Sequence, residues 1–243
     1  MHLSVVIPTY KEKENLAELL PAIHSTLSSL KISYNVIVVD DDSADGTIDL
    51  IHSMKHLPIE LVLRRGKRGL SSAVHDGVAR AKGEIIAFMD ADLSHPPTAL
   101  AGMFDWIHSG KADLVIGSRL VSGGGMADWP WTRRLTSWVA RMMIRPLTPV
   151  RDITSGFFMF RREVYPTKQL NLKGFKIGLE VVIKGKYSQV KEFPIVFQDR
   201  KHGESKLTGK IMREYLRQLR QLYLYTFLKK ASGSSTHRNS IER

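Results

Sequence analysis

Ile85-Ile86-Ala87-Phe88-Met89-Asp90-Ala91-Asp92 is a run of five apolar residues that ends in two carboxylates separated by one residue. Such a run is too short for a helix of ordinary length and suits a strand buried on both faces. Similar short runs recur at Leu3 to Ile7, Val36 to Val39, Ile59 to Leu63 and Leu114 to Ile116, with helix-like stretches between them. This alternation predicts an α/β chain whose parallel strands are joined by crossover helices. The first helix is expected to start near Glu12 to Asn15 and to run towards Leu30, and Asp45 has cap chemistry before the helix that follows the second strand.

In such sheets functional residues gather beyond the carboxyl ends of the strands. Three segments occupy that position: Pro8-Thr9-Tyr10-Lys11-Glu12, Asp40-Asp41-Asp42-Ser43 and Asp90-Ala91-Asp92. Two carboxylates one residue apart repel unless a positive charge lies between them, which a divalent cation supplies. Residues i and i+2 of an extended segment share a face, so Asp90 and Asp92 can reach one ion. An isolated Asp-x-Asp can equally be an acidic turn capping the next helix. Asp41 is the candidate acceptor for a base ring N–H, with Asp40 structural, and Tyr10 offers a ring face to a base or sugar. Glu12 is explained equally by the helix dipole. Arg119, Arg133, Arg134, Arg200 and Lys206 lie in loops or at helix starts, where cations converge on phosphate. Solvated surface charge is the alternative for each. His95 reads as a loop residue ahead of Pro96-Pro97.

Beyond Gly117 the alternation stops. Ser122 to Gly125 makes a flexible loop, and Arg133 to Arg145 is expected to be helical, with Leu135, Trp138, Val139, Met142 and Met143 in one apolar stripe. Strand-like sequence follows at Phe157 to Phe160 and Val190 to Phe197. A second amphipathic helix is expected from about Lys210 to Leu228, and the polar tail from Ala231 to Arg243 is expected to be disordered. The organisation read here is a catalytic domain over 1–209, an amphipathic helix over 210–230 and a tail over 231–243, without internal repeats.

The 243 residues allow one large domain, and 43% hydrophobic with 25% charged residues is globular composition. The absence of cysteine excludes disulfides, thiolate metal sites and a cysteine nucleophile. A net charge of +12 calls for an anionic partner. From Arg200 onward, eleven Lys and Arg stand against three Asp and Glu, so a surplus of +8 lies near the C-terminus. No apolar run reaches spanning length, and the first residues lack the pattern of a signal peptide.

The segments VVIPTYKEKENL (5–16), VVDDDSADGT (38–47), RGLSSAVHDGVARAKGE (68–84), MDADLSHPP (89–97), IGSR (116–119), WTRRLTS (131–137), DITSGFFMF (152–160) and DRKHGESKL (199–207) together resemble the inverting GT-A glycosyltransferases. Within that class they resemble the polyprenyl-phosphate (dolichol-phosphate) mannosyltransferases. The resemblance implies a Rossmann-like, mostly parallel sheet flanked by helices, and transfer of mannose from GDP-mannose to polyprenyl phosphate. It implies that Pro8, Tyr10, Glu12, Val39 and Asp41 hold the nucleoside, and that Asp90, Ala91 and Asp92 lie at the diphosphate, with Asp90 and Asp92 on Mg2+ or Mn2+. Arg119, Arg133, Ser137, Arg200 and Lys206 are implied to face the diphosphate or the acceptor phosphate.

The chain departs from the pattern at Lys11 and Asp42, where Asn is usual. At Ser94 some relatives carry Gln as a further metal ligand, which leaves the third ligand open. The apolar stripe of the first late helix suits either core packing or a membrane interface. The basic end favours the interface for the second. A peripheral protein on the cytoplasmic face of a membrane, with a membrane-anchoring subunit as a further partner, is therefore expected. UDP-glucose is the alternative donor, and a non-catalytic nucleotide- or nucleic-acid-binding protein the alternative class. Absence of a nucleic-acid motif counts against the latter.

Overall fold

A computed structural model describes residues 1–126, 131–172, 176–198 and 209–231, without the side chains at 132–134, 209–211 and 230–231. The expected strands form: β1 (Leu3–Thr9), β2 (Tyr34–Asp40), β3 (Ile59–Leu63), β4 (Ile85–Phe88) and β5 (Leu114–Ser118). Between them lie α1 (Lys13–Ser28), α2 (Thr47–Ser53), α3 (Leu70–Arg80) and α4 (Ala99–His108). The later elements are β6 (Gly125–Met126), α5 (Trp131–Ile144), β7 (Phe158–Arg161), α6 (Ile177–Lys184), β8 (Val190–Pro194), β9 (Val196–Phe197) and α7 (Gly209–Ala231).

The main sheet has seven strands in the order β3-β2-β1-β4-β7-β5-β8. All its pairings are parallel except those of β7, which runs antiparallel to both β4 and β5. Hydrophobic alternation carries no strand direction, and β7 inserts between two strands that the sequence presents as consecutive. Its insertion delivers the loop before it, residues 152–156, to the carboxyl ends of β4 and β5. The strand order turns back between β1 and β4, the switch point at which such sheets open a crevice.

Alternate residues of the strands divide between two cores. Val6, Ile37, Val39, Ile86 and Phe88 face one side, where α3, α6 and α7 add Val74, Leu179, Leu219 and Leu222. Val5, Ile7, Val36, Val38 and Ala87 face the other, covered by Leu16, Leu19, Leu20 and Ile23 of α1 and Leu100, Met103, Phe104 and Ile107 of α4. The spacing of these helical residues is that of one buried stripe. At Gly77 in α3 a Cβ would collide with Val6 and Val39, so glycine lets this helix lie close on β1 and β2.

The helix expected over Arg133 to Arg145 is α5, but its stripe does not enter the core. Leu135 and Trp138 are each 51% exposed, and Val139, Met142 and Met143 are exposed with them. In α7 Tyr215, Leu219 and Leu222 join the core while Leu216, Leu224, Phe227 and Leu228 stay outside. The two helices are tied by hydrogen bonds from Tyr215 Oη to the Ala140 carbonyl and from Tyr223 Oη to the Met143 carbonyl, both 2.6 Å. Among the described residues no helix is long and apolar enough to cross a membrane. Residues 232–243, with most of the expected tail, lie outside the described residues.

Candidate active site

The register of β1 on β2 pairs Pro8 with Val39 and Thr9 with Asp40, so both strands end level. Asp41 N donates 3.0 Å to the Thr9 carbonyl, which sets Tyr10 and Asp41 on one rim. Asp40 is fully buried, accepting from Ser43 N at 2.9 Å and Ser43 Oγ at 2.5 Å, the structural role expected of it. Asp45 accepts from Thr47 N at 3.0 Å and Thr47 Oγ1 at 2.7 Å at the start of α2, and from Lys13 N at 3.3 Å. Burial alone would raise its pKa, but these bonds outweigh it and hold the carboxyl below its usual range.

Asp41 is 7% exposed. Its Oδ1 lies 2.8 Å from Arg64 Nη1 and its Oδ2 accepts from Gly69 N at 2.9 Å. Burial raises its pKa against the opposing effects of those partners. Arg64, unremarked in the sequence, also meets Asp76 at 3.1 Å and Ser72 Oγ at 2.6 Å. This buried arginine anchors the turn that carries Arg68, whose guanidinium lies over the Tyr10 ring at 4.5 Å. Glu12 accepts from Asn15 Nδ2 at 2.6 Å.

Beyond β4, Asp90, Asp92 and His95 each bring a ligand atom within 4.8 Å of the other two. Leu93 turns the chain there through a left-handed conformation, φ 61°. Asp92 Oδ1 accepts from Ser94 N at 3.2 Å and Ser94 Oγ at 2.5 Å. His95, read from the sequence as a loop residue, is 1% exposed and packs between Phe157 and Phe197. Burial pushes its imidazole down to about 4. The spacing Asp-x-Asp-x-x-His was the available signal. Two carboxylates and an imidazole fit Mg2+ or Mn2+, so the donor set agrees with the expected ion and offers His95 where Ser94 replaces a Gln.

Arg119, 8% exposed, is gripped by the fully buried Asp152 through Nε at 2.7 Å and Nη2 at 2.6 Å. Burial acts to raise the Asp152 pKa, but the hydrogen bonds and charge of Arg119 hold it below its usual range. Glu192 of β8 accepts from Asp152 N at 2.8 Å and fixes the loop itself.

One cavity of about 860 Å³ joins these groups. Its lining includes Pro8, Tyr10, Glu12, Asp41, Asp90, Ala91, Asp92, Arg119 and Ser137 of the expected residues. Val39 is not brought to it; its side chain is in the core. The side chain of Arg133, and the whole of Arg200 and Lys206, lie outside the described residues. The sequence missed Arg68, His95, Thr154 and Lys176, which also line the cavity.

Residues 4–167 match the model of glycosyl transferase family 2. The chain belongs to that family. Within it, the chain falls with the dolichol-phosphate mannosyltransferases. It is 44% identical over 227 residues to the one from Pyrococcus furiosus, covering 91% of this chain and 64% of that protein. It is 37% identical over 236 residues to the one from Saccharomyces cerevisiae, covering 92% of this chain and 88% of that protein. Among solved structures, glucosyl-3-phosphoglycerate synthase from Mycobacterium tuberculosis, in complex with Mn2+, UDP and phosphoglyceric acid, is similar with a TM-score of 0.65 at 19% identity, over 92% of this chain and 78% of that one. Residues 1–349 of S. aureus TarS, in complex with UDP-GlcNAc, give 0.62 at 18% identity, over 92% and 67%. At such identities the likeness shows the GT-A fold. As a member of the family this chain is a glycosyltransferase.

Proposed function

We propose that this glycosyltransferase moves mannose from GDP-mannose to a polyprenyl (dolichyl) phosphate, giving polyprenyl-phosphate mannose and GDP with inversion at the sugar carbon. One observation carries the reading: a single cavity brings together Tyr10 with Asp41, the acidic centre and cations, and it is also lined by Ser137, Ala140, Met212 and Tyr215 of the two helices that expose apolar faces. The choice of mannose and of a dolichyl acceptor is supported by the names of the relatives.

Tyr10 and Arg68 offer a ring face and a planar cation to a base, and Asp41 accepts a ring N–H. A divalent cation bound by Asp90, Asp92 and His95 would neutralise charge on the departing diphosphate. Arg119 is oriented by Asp152 towards the same space, where it stabilises charge without having to reorganise. A phosphate monoester is largely anionic at neutral pH and attacks without a dedicated general base. One phosphate oxygen bonds to the anomeric carbon as the carbon–oxygen bond to the diphosphate breaks, and GDP leaves with the electron pair. The α5 and α7 faces lie on the membrane surface, so that a lipid head group enters from that side while its chain stays in lipid.

Radiolabelled GDP-mannose and polyprenyl phosphate in detergent test this directly. Label should appear in a lipid product of inverted anomeric configuration. Transfer from UDP-glucose but not from GDP-mannose would replace the donor, and release of free sugar alone would remove the acceptor.

A further inference from the structure

We propose, resting on the function given above, that Lys176 holds the acceptor phosphate in this cavity and that Gln218 on α7 positions it. Lys176 immediately precedes α6, and its Nζ donates to the Thr154 carbonyl at 2.9 Å. The hydroxyl of the same threonine accepts from Arg119 Nη2 at 3.1 Å. Two cations therefore converge on one residue of the 152–156 loop, and both line the cavity.

The position of Lys176 favours the acceptor over the donor. Tyr10 and Asp41 follow β1 and β2 and Arg68 precedes α3, on the β1–β2 side of β4, whereas Lys176 is tied to α7. Gln218 lies one helical turn from Tyr215, which lines the cavity. It is 1% exposed, and its amide pairs with Lys176 in both directions: Lys176 N donates to Oε1 at 3.2 Å, and Nε2 donates to the Lys176 carbonyl at 2.9 Å. Nε2 also reaches the fully buried Glu180 at 3.3 Å. An apolar side chain would pack α7 without burying an amide, which costs stability unless each polar atom is bonded. What the amide adds is the fixed placement of the Lys176 backbone. A lysine there is a point charge on a flexible stem, suited to a phosphate that shifts as it attacks.

The test uses the full chain with citronellyl phosphate, a short isoprenoid phosphate, as acceptor at saturating GDP-mannose. Lys176→Met should raise the acceptor KM on the order of 10- to 100-fold, the loss of one charged hydrogen bond. GDP affinity by calorimetry should stay within about twofold, and Lys176→Arg should recover most of the loss. Gln218→Met should raise the same KM with kcat little changed, since a merely structural role would lower activity towards both substrates alike. An unchanged acceptor KM in Lys176→Met, or an equal loss of GDP affinity, overturns the assignment; wild-type kinetics in Gln218→Met overturn the positioning role. If the wild type moves no mannose, the function proposed above fails. Lys176 is then judged by calorimetry of citronellyl phosphate alone, where equal binding by wild type and Lys176→Met overturns it.

Discussion

Gly156 lies directly against the carboxylate of Asp90, so closely that any Cβ at this position would overlap it. Gly156 belongs to the loop that antiparallel β7 brings to the end of β4, and that loop also carries Asp152 and Thr154. A single insertion in the sheet thus walls the acidic centre on one side and orients Arg119 on the other.

Gly156→Ala should therefore displace Asp90 while leaving most of the fold intact. Displacement of a reacting group by about 1 Å can cost on the order of 10²-fold in rate. Calorimetry with Mn2+ and GDP should show weakened metal binding, and circular dichroism should show a near wild-type fold. Wild-type metal affinity in this variant would mean that Asp90 does not hold the ion.

Asp92→Ala should abolish transfer, and excess chelator should do the same to the wild type, because the carboxylates otherwise face a diphosphate without a compensating cation. Mn2+ or Mg2+ added back should restore the chelated wild type but not the variant. Full activity in chelator would take the metal out of the reaction.

Asp152→Asn leaves the buried Arg119 guanidinium without its counter-charge. Breaking a buried pair in this way costs about 3–5 kcal/mol, which urea unfolding at neutral pH should register. Because the folded Asp152 pKa is lowered, its contribution is complete above the ordinary carboxyl value of 3.8 and is lost as pH falls through the lower folded value. The gap between wild type and variant should narrow only in that acid range. A gap that closes already at pH 5 to 6 would assign the stability to another group.

The five early strands were legible because each is a short, mostly apolar run, buried on both faces in β1, β2, β4 and β5 and half-buried at the sheet edge in β3, and Asp90 with Asp92 because paired carboxylates after such a run carry their own electrostatic demand. Asp152 was not, since its partner Arg119 is 33 residues away and only the insertion of β7 joins them. Arg64 and Lys176 were silent for the same reason: one cation in a sequence does not show which carboxylate or carbonyl it will meet. The stripe from Leu135 to Met143 announced a helix correctly, but a period tells which residues share a face and not what covers that face. In α7 the period divides between core and exterior.

Asp41→Ala should weaken GDP binding by about 1–3 kcal/mol, the cost of an unpaired ring donor. Loss of this carboxylate also releases Arg64 and Gly69, so thermal unfolding should fall with it. Unchanged GDP affinity in calorimetry would put the base elsewhere in the cavity, whatever the effect on stability.

The membrane-facing role proposed for α7 calls for a test that spares the core. Deletion of residues after Lys210 would strip Tyr215, Leu219 and Leu222 from the interior and remove the Gln218 amide with them. Leu224, Phe227 and Leu228 are instead 50%, 70% and 64% exposed, so replacing all three by Gln removes apolar surface and leaves the inner face in place. Each contributes roughly 1–2 kcal/mol to partitioning if buried in the lipid interface, and the triple variant should bind liposomes on the order of 10²- to 10⁴-fold less tightly in a sedimentation assay. Exposed Arg213, Arg217 and Arg220 on the same helix should make binding of the wild type strongest on anionic lipid at low salt. Transfer to citronellyl phosphate in solution should survive in the triple variant, because none of the three residues lines the cavity. Wild-type sedimentation on anionic liposomes would show that this face of α7 does not touch the membrane.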